Sequence, residues 1–260
     1  MPLIRSALLV LLSLMLFAAS ALAVEHVEST RYGWVEPDAD GKMSPSQRPI
    51  FSGQSTLLKA VELTATTVEP RKAAYAARIL ADTEQLILVK TGELTVTLGE
   101  EVHTIGPGSV ALILPEDMHM LVNTADLPVT YYTLSYQSKA PTDLERGKAA
   151  GASFVIDFED LKFEPHDRGG LRNYFNRATA MTENFEMHVT TLNEGITSHP
   201  PHTHTSEEII LMIDGEAEEL INGAPHALAT GDLVFLDSMV PHGIRNTGQG
   251  TCMYFAFQWR

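Results

Sequence analysis

The sequence predicts an all-β protein built from two tandem small β-barrels. From about Phe51 onward, runs rich in Val, Ile, Leu, Thr and Tyr are separated about every 8–12 residues by Gly, Pro, Asp or Asn, which is typical of sandwiches and barrels. Helical periodicity is scarce. The later part of the chain also repeats the earlier part at an offset of 123 positions.

The first 23 residues have the pattern of a secretory signal peptide. Arg5 precedes an apolar run from Ala7 to Phe17, and small residues end at Ala23, which predicts cleavage before Val24. An apolar core of about 11 residues is shorter than the roughly 20 that span a bilayer, so a retained anchor helix is the weaker alternative. We therefore expect a secreted or periplasmic protein with no stable membrane insertion after cleavage.

Composition excludes several classes of protein. The chain has 260 residues, 44% of them hydrophobic, which suits a globular protein with ordinary cores. It carries 33 acidic against 18 basic residues, a net charge of −15 that repels phosphate backbones, so nucleic acid is not expected as a partner. The single cysteine, Cys252, lies in an apolar run, which predicts a buried strand position and no intrachain disulfide.

The elements follow in order along the chain. Residues 24–50 are polar and punctuated by prolines, which predicts an irregular N-terminal arm. Residues 144–150 are one possible short helix. The clearest strand predictions are Leu86–Val89, Leu94–Leu98, Val110–Leu114, Ile209–Ile213 and Leu233–Leu236.

The internal repeat divides the chain. The pairs that it aligns are Gly92 with Gly215, Glu93 with Glu216, Gly108 with Gly231, His119 with His242, and Asn123 with Asn246. We therefore predict a first barrel over residues 51–138, a connector over 139–170 and a second barrel over 171–260.

Four residues of the second half form a candidate site for a divalent metal: His202, His204, Glu208 and His242. Side chains at positions i and i+2 of a strand point to the same face, so His202 and His204 are expected to project together into the barrel. Glu208 is predicted to open the buried strand that follows, and His242 to come from an adjacent strand. Imidazoles and a carboxylate in this combination suit manganese, iron, zinc, nickel or copper.

These residues resemble the two motifs of the cupin family. The matching positions are Gly195, His202, His204, Glu208 and Gly215 in the first motif, and Gly231, His242 and Asn246 in the second. The chain from about Phe51 is therefore similar to a bicupin, which implies two tandem cupin (jelly-roll) barrels. Six residues separate Gly195 from His202 where the motif has five, and Asp237 and Met239 stand where the second motif usually has proline and glycine.

The first half lacks most of the candidate ligands. Its counterparts of His202, His204 and Glu208 are Ile79, Ala81 and Gln85, and only His119 persists. We therefore expect a degenerate barrel without metal, which serves as scaffold and as an interdomain or dimer surface. One divalent metal per chain follows, and a homodimer is the default expectation.

Several residues near the ligands are candidates for contacts with a substrate. They are Arg245, Asn246, Tyr254 and Gln258, with ordinary strand and loop structure as the competing interpretation. His188, in a predicted strand, and His199, in a predicted loop, are further candidates for contact with a substrate. The alternative is that they are ordinary strand and loop residues. A lone His119 is expected to be a hydrogen-bonded barrel residue.

A site of three histidines and one carboxylate leaves positions open for a small-molecule substrate. Affinity alone favours copper or zinc, whereas mixed sites of this kind favour manganese or iron, which we prefer. The ligands allow Lewis-acid hydrolysis or isomerisation, dioxygenase chemistry, or ligand binding without catalysis.

The arrangement of a degenerate first barrel and a metal-bearing second barrel, with the run Phe185–Val189 ahead of the ligands, resembles the ureidoglycine aminohydrolase type of bicupin. That resemblance implies manganese and hydrolytic release of ammonia. His202, Glu208 and His242 occupy slots that this type often fills with Glu, His and Gln, so the substrate does not transfer with them.

Overall fold

The computed structural model describes residues 25–34 and 45–260, and the predicted signal peptide lies outside these residues. The chain is almost entirely β-structure, with one α-helix in the described part, Leu144–Ala149 (α1), and one 3-10 turn, Phe158–Asp160. Both the all-β prediction and the short helix are confirmed.

The strands of the first half and connector are β1 (Thr30–Tyr32), β2 (Ser46–Gly53), β3 (Leu58–Val68), β4 (Lys72–Ala73), β5 (Glu84–Thr91), β6 (Leu94–Leu98), β7 (Glu101–Ile105), β8 (Val110–Ile113), β9 (His119–Asn123), β10 (Val129–Ser138), β11 (Phe154–Ile156) and β12 (Glu164–His166). Those of the second half are β13 (Gly169–Arg177), β14 (Phe185–Leu192), β15 (Glu207–Asp214), β16 (Glu216–Ile221), β17 (Ala224–Ala229), β18 (Leu233–Leu236), β19 (His242–Asn246) and β20 (Cys252–Trp259).

These strands form two barrels that pack against each other. In the first barrel, a sheet in the order β11-β8-β5-β10-β3-β2 faces a smaller sheet, β4-β9-β6-β7. In the second barrel, a sheet in the order β1-β18-β15-β20-β14-β13-β12 faces the three strands β17-β16-β19. One hydrophobic core fills each barrel, and a third core joins the two large sheets.

Alternation along the central strands explains why their sequences are apolar throughout. In β15, Ile209 and Leu211 belong to the core between the barrels, whereas Ile210 and Met212 belong to the core inside the second barrel. Because successive side chains of a strand point to opposite faces, a strand buried on both faces is a continuous apolar run. The same alternation sends Glu208 into the second barrel and Glu207 towards the first.

The repeat predicted at an offset of 123 positions is present in the strands themselves. β5, β8 and β9 begin at residues 84, 110 and 119, and β15, β18 and β19 begin at residues 207, 233 and 242. Each pair also has the same length. The two halves therefore fold alike, and differences between equivalent residues report differences in what each barrel does.

The arm and the connector exchange strands between the barrels. β1 of the arm pairs with β18 at the edge of the second barrel, and β11 of the connector pairs with β8 at the edge of the first. The arm is therefore not irregular throughout, because its described residues include β1 and the start of β2. Exposed strand edges template further pairing, so each short strand protects an edge of the other barrel.

The described part of the chain contains no helix of the length and apolar character needed to span a membrane.

Candidate metal centre

The four candidate ligands meet at one end of the second barrel. His202 and His204 lie in the extended segment that leads into β15, so the expectation that a strand carries them is wrong. His202 is nevertheless fixed, because its backbone N–H and carbonyl exchange hydrogen bonds with those of His242, both of 3.0 Å. Glu208 is the second residue of β15, and His242 is the first of β19.

The side chains of these residues converge. The Oε2 atom of Glu208 lies 3.1 Å from Nε2 of His204 and 3.3 Å from Nε2 of His242. The ligand atoms of His202, His204 and His242 all lie within 4.8 Å of one another. Separations of about 3 Å between adjacent ligand atoms follow from bonds of about 2.1 Å to a shared cation.

Hydrogen bonds behind two of the imidazoles select the tautomer that a metal requires. Nδ1 of His204 donates to the Ser206 carbonyl at 2.9 Å, and Nδ1 of His242 donates to the Val240 carbonyl at 2.9 Å. In a neutral ring Nε2 then carries the lone pair that a metal binds, whereas in the protonated ring of His204 it donates to Glu208. The buried Nε2 of His242 has no hydrogen-bond partner among the described residues. Such backbone contacts commonly orient metal-bound histidines.

The electrostatics of the cluster favour a cation at its centre. Burial raises the pKa of Glu208, but the neighbouring imidazoles of His204 and His242 outweigh this effect and hold it at about 2. Burial and the neighbouring imidazoles lower the pKa of His202, whereas the hydrogen bond to Glu208 raises that of His204. An ionised carboxylate with neutral imidazoles around it is the donor set of a divalent-metal site.

The second-motif loop has an uncommon backbone. Met239 stands where the motif usually has glycine, and it adopts a φ of +64°, the left-handed region that glycine occupies without strain. Its backbone N–H donates to the His204 carbonyl at 2.8 Å. The loop therefore holds Met239 in a backbone conformation that favours glycine and joins it to the segment that carries His204.

A cavity of about 260 Å³ opens over the candidate ligands. Besides His202, His204, Glu208 and His242, it is lined by His188, Ser198, His199, Ile210, Glu219, Ile244, Tyr254, Ala256 and Gln258. The candidate ligands thus face a space that a small molecule can enter.

The structure separates the four other sequence candidates into two pairs. Tyr254 and Gln258 line the cavity. Arg245 does not, since it is exposed and its Nε atom donates to the Gly195 carbonyl. Asn246 is buried at the end of β19, where its amide donates to the carbonyls of Leu192 and Gly250. Arg245 and Asn246 therefore make hydrogen bonds to the backbone and are not among the residues that line the cavity.

His188 and His199 both line the cavity. The ring of His199 stands edge-on to that of His202, with centroids 4.2 Å apart. Burial lowers the pKa of His188, which lies on β14. His188 therefore lies in the wall of the site, and His199 lies beside the candidate ligand His202.

Glu219 is a cavity residue that sequence reasoning missed. It is 1% exposed, and burial together with the charge of Glu208 raises its pKa to about 8. The run Glu216 to Glu219 is rich in acidic residues, as a solvent-exposed turn would be. The composition of this run alone therefore gives no reason to expect that Glu219 is buried. Two signals could have revealed it: strand parity places Glu219 inward with Ala217 and Ile221, and its counterpart in the first half is Val96.

The first barrel holds an arginine where the second holds the candidate metal ligands. Nε of Arg78 donates to Nε2 of His119 at 3.2 Å, and Nη2 donates to Oε1 of Gln85 at 3.1 Å. Nδ1 of His119 lies 3.1 Å from the Asp117 carbonyl, as that of His242 does from the Val240 carbonyl. His119 and Gln85 are the counterparts of His242 and Glu208, so equivalent atoms face a guanidinium cation in this half.

Two family models match the chain. The Cupin domain model matches residues 188–257, and the AraC-like ligand binding domain model matches residues 68–179. The chain has a tandem cupin fold. The predicted cupin barrels are thereby confirmed, and a comparison with curated protein sequences finds no significant match.

Solved structures share this cupin fold at low sequence identity. Protein Ylba from E. coli is 13% identical with a TM-score of 0.67, covering 92% of this chain and 95% of that one. The oxalate decarboxylase of Lactobacillus farciminis is 12% identical with a TM-score of 0.65, covering 92% and 88%. The salicylate 1,2-dioxygenase of Pseudaminobacter salicylatoxidans is 14% identical with a TM-score of 0.57, covering 76% and 70%.

Proposed function

We propose that this tandem cupin is a metal-dependent enzyme of small oxygenated or ureido-type metabolites. One observation carries the proposal: the Glu208 carboxylate lies 3.1–3.3 Å from the Nε2 atoms of His204 and His242, whose Nδ1 atoms are engaged with carbonyls. Lone pairs placed this close repel one another unless a proton or a metal cation lies between them, and a divalent ion can serve all of these atoms at once. In the first barrel, the guanidinium of Arg78 supplies that cation.

The residues present would hold one divalent ion per chain through His202, His204, Glu208 and His242, with manganese or iron favoured. When bound, such an ion polarises a carbonyl or amide oxygen and activates water. The chain supplies the rest: the carbonyls of Ser206 and Val240 orient the imidazoles, and the polar side chains of Tyr254 and Gln258 in the cavity wall can contact a bound substrate.

Lewis-acid hydrolysis or isomerisation of a small chelating metabolite is the reaction that we favour. The cavity, at about 260 Å³, lies just below the range of about 300–1,000 Å³ that is usual for small-molecule sites, so the substrate is small. Oxalate and salicylate, for which two proteins of similar fold are named, are small chelating oxyacids. The dioxygenase among them makes oxygen-dependent turnover the second candidate. The proposal also includes export, removal of residues 1–23 and a homodimeric assembly.

Metal content tests the proposed centre. Elemental analysis of the protein purified without added metal is expected to give about one divalent ion per chain. His204→Ala and His242→Ala should each lower this content at least about tenfold, since metal-site mutations commonly cost that much affinity. His226→Ala, outside the cavity, is the matched control and should keep the metal. Full metal content in both ligand variants would contradict the assignment.

Turnover under air and under nitrogen tests the reaction class. The metal-loaded protein should convert at least one member of a panel of ureido compounds and hydroxy acids equally well in both atmospheres. Turnover that consumes dioxygen stoichiometrically would assign the chain to the oxygenases instead. Absence of turnover across the panel, with metal and ligand bound, would favour a binding protein.

A further inference from the structure

Glu219 is a buried carboxyl group that faces the cavity without a partner. Its side chain is 1% exposed and points inward from β16, between Ala217 and Ile221 on the same face. Among the described residues, neither carboxyl oxygen makes a hydrogen bond. The backbone N–H of Gly243 is near, but not in hydrogen-bonding geometry. A buried polar group left in this state lowers stability and therefore calls for an explanation.

The fold does not require a carboxyl group at this position. The equivalent residue of the first barrel is Val96, which is fully buried in that barrel's apolar core. β6 and β16 pair with their neighbours in equivalent registers, so an apolar side chain at this position suits the same architecture. Glu219 is thus explained by what enters the cavity of the second barrel.

The charges of the cavity define what can enter. No lysine or arginine is among the residues that line it, so the candidate metal is its main source of positive charge. A divalent ion with the Glu208 carboxylate has a net charge near +1, which suits one anionic chelating group. The rest of the ligand must then meet Glu219, and a second carboxylate there would be repelled in a site of low dielectric constant.

We propose that Glu219 selects substrates that chelate the metal with one anionic group and present a hydroxyl, amino or amide N–H donor to this carboxyl. In either protonation state, a Glu219 oxygen accepts a hydrogen bond from such a donor. A dianionic ligand is accommodated only while Glu219 holds a proton. This inference rests on the proposed function and narrows its substrate class to hydroxy-, amino- or amido-substituted monocarboxylates.

Oxamate and oxalate provide a matched pair of probes. They have nearly the same size and both chelate metals, but oxamate carries an amide NH₂ where oxalate carries a second carboxylate. The dissociation constants of both are measured by calorimetry on the manganese-loaded full-length mature protein. The measured quantity is the ratio of the two constants, because the intrinsic preference of the metal contributes equally in every variant.

Glu219→Gln should shift this ratio towards oxalate by about tenfold or more, since the amide offers both a donor and an acceptor and one charge-assisted hydrogen bond accounts for such a factor. Glu219→Val, which copies Val96, should also abolish the preference for oxamate. Glu218→Gln is the matched control, because its side chain lies on the opposite face of β16 and should leave the ratio unchanged.

The outcomes separate this inference from the proposed function. Metal and both probes bound, with the same ratio in the wild type and both Glu219 variants, would overturn the role of Glu219 alone. Failure of the wild type to hold metal would overturn the proposed function first. Measured metal content in each variant ensures that a changed ratio is not a loss of the metal centre.

Discussion

At the scale of single residues, the contrast between Glu219 and Val96 separates function from stability. Both occupy the same place in equivalent barrels, and both are buried. Valine there contributes to an apolar core, whereas a carboxyl group without a hydrogen-bond partner loses its hydration and regains nothing in the protein. Glu219 thus lowers the free energy of unfolding at a position that faces the cavity, as residues of binding sites commonly do.

Replacing Glu219 with valine should stabilise the metal-free protein. The variant removes an unsatisfied buried group, so the free energy of unfolding at pH 7 in the presence of a chelator should rise by about 1–3 kcal/mol. Denaturant titration followed by circular dichroism measures it. The reciprocal change, Val96→Glu, should destabilise the protein by at least as much. A stability loss in Glu219→Val would mean that the carboxyl group supports the fold.

At the scale of elements, the arm is attached to the second barrel through Asp232. Its carboxylate accepts hydrogen bonds from Nε of Arg31 at 2.9 Å, from the Trp34 backbone N–H at 2.8 Å and from the Ala229 backbone N–H at 2.9 Å. Burial raises the pKa of Asp232, but these hydrogen bonds outweigh it and lower the pKa below its usual value. This carboxylate therefore reinforces the pairing of β1 with β18.

The connector repeats this attachment in the first barrel. Ser109, the counterpart of Asp232, accepts a hydrogen bond from the Phe158 backbone N–H at 3.0 Å. Gly108 and Gly231 precede the two anchors, both with positive φ, and a Cβ on either would meet Phe158 or Trp34 within 2.8 Å. In both copies of the repeat, the segment that precedes one barrel thus pairs with an edge strand of the other barrel.

Asp232→Ala should release the arm. Loss of hydrogen bonds to a charged acceptor is expected to lower the free energy of unfolding by about 2–3 kcal/mol and to accelerate tryptic cleavage after Arg31. Asp126→Ala is the control, because the exposed pair of Asp126 with Arg71 should contribute less than about 1 kcal/mol. If cleavage after Arg31 is no faster in Asp232→Ala than in the control, the carboxylate does not hold the arm.

Whether a feature could be predicted from the sequence depends on how close together its residues lie along the chain. Continuous apolar runs such as Leu233–Leu236 predicted strands because both faces of the large sheets are buried. The cluster of candidate ligands was predictable because its members lie close together in the sequence, in the segment that leads into β15 and at the start of β19. The pairing of β1 with β18 and the contact of Arg78 with His119 were not, since a strand edge or a guanidinium joins partners by tertiary geometry alone.

At the scale of the whole molecule, two buried glutamates join the barrels across the core between the large sheets. Glu84 accepts hydrogen bonds from the Tyr136 hydroxyl and from the Met181 backbone N–H in the second half. Its repeat counterpart, Glu207, accepts from Trp259 Nε1 and from the Leu57 backbone N–H in the first half. Tyr136 and Trp259, also counterparts, stack nearly parallel at 6.4 Å between ring centroids. The interface therefore has an internal pseudo-two-fold arrangement.

This arrangement makes the stability of the molecule depend on pH. Burial raises the pKa of Glu84, and its hydrogen bonds offset only part of that effect. A carboxyl group with a raised pKa in the folded state is protonated there while it is already ionised in the unfolded chain. The unfolded state then binds fewer protons, so stability falls as pH rises from about 4.5 towards the folded pKa.

Glu84→Gln should flatten this dependence, because glutamine keeps an acceptor oxygen and does not titrate. Relative to the wild type, the variant should gain unfolding free energy as pH rises above about 4.5, by at most about 1.4 kcal/mol per pH unit. Denaturant titrations on the metal-free protein between pH 4 and pH 8 measure the difference. Glu62→Gln, at an exposed position, should give a curve parallel to the wild type. A parallel curve for Glu84→Gln as well would show that Glu84 is ionised inside the interface, and that the two barrels are joined through a buried charge.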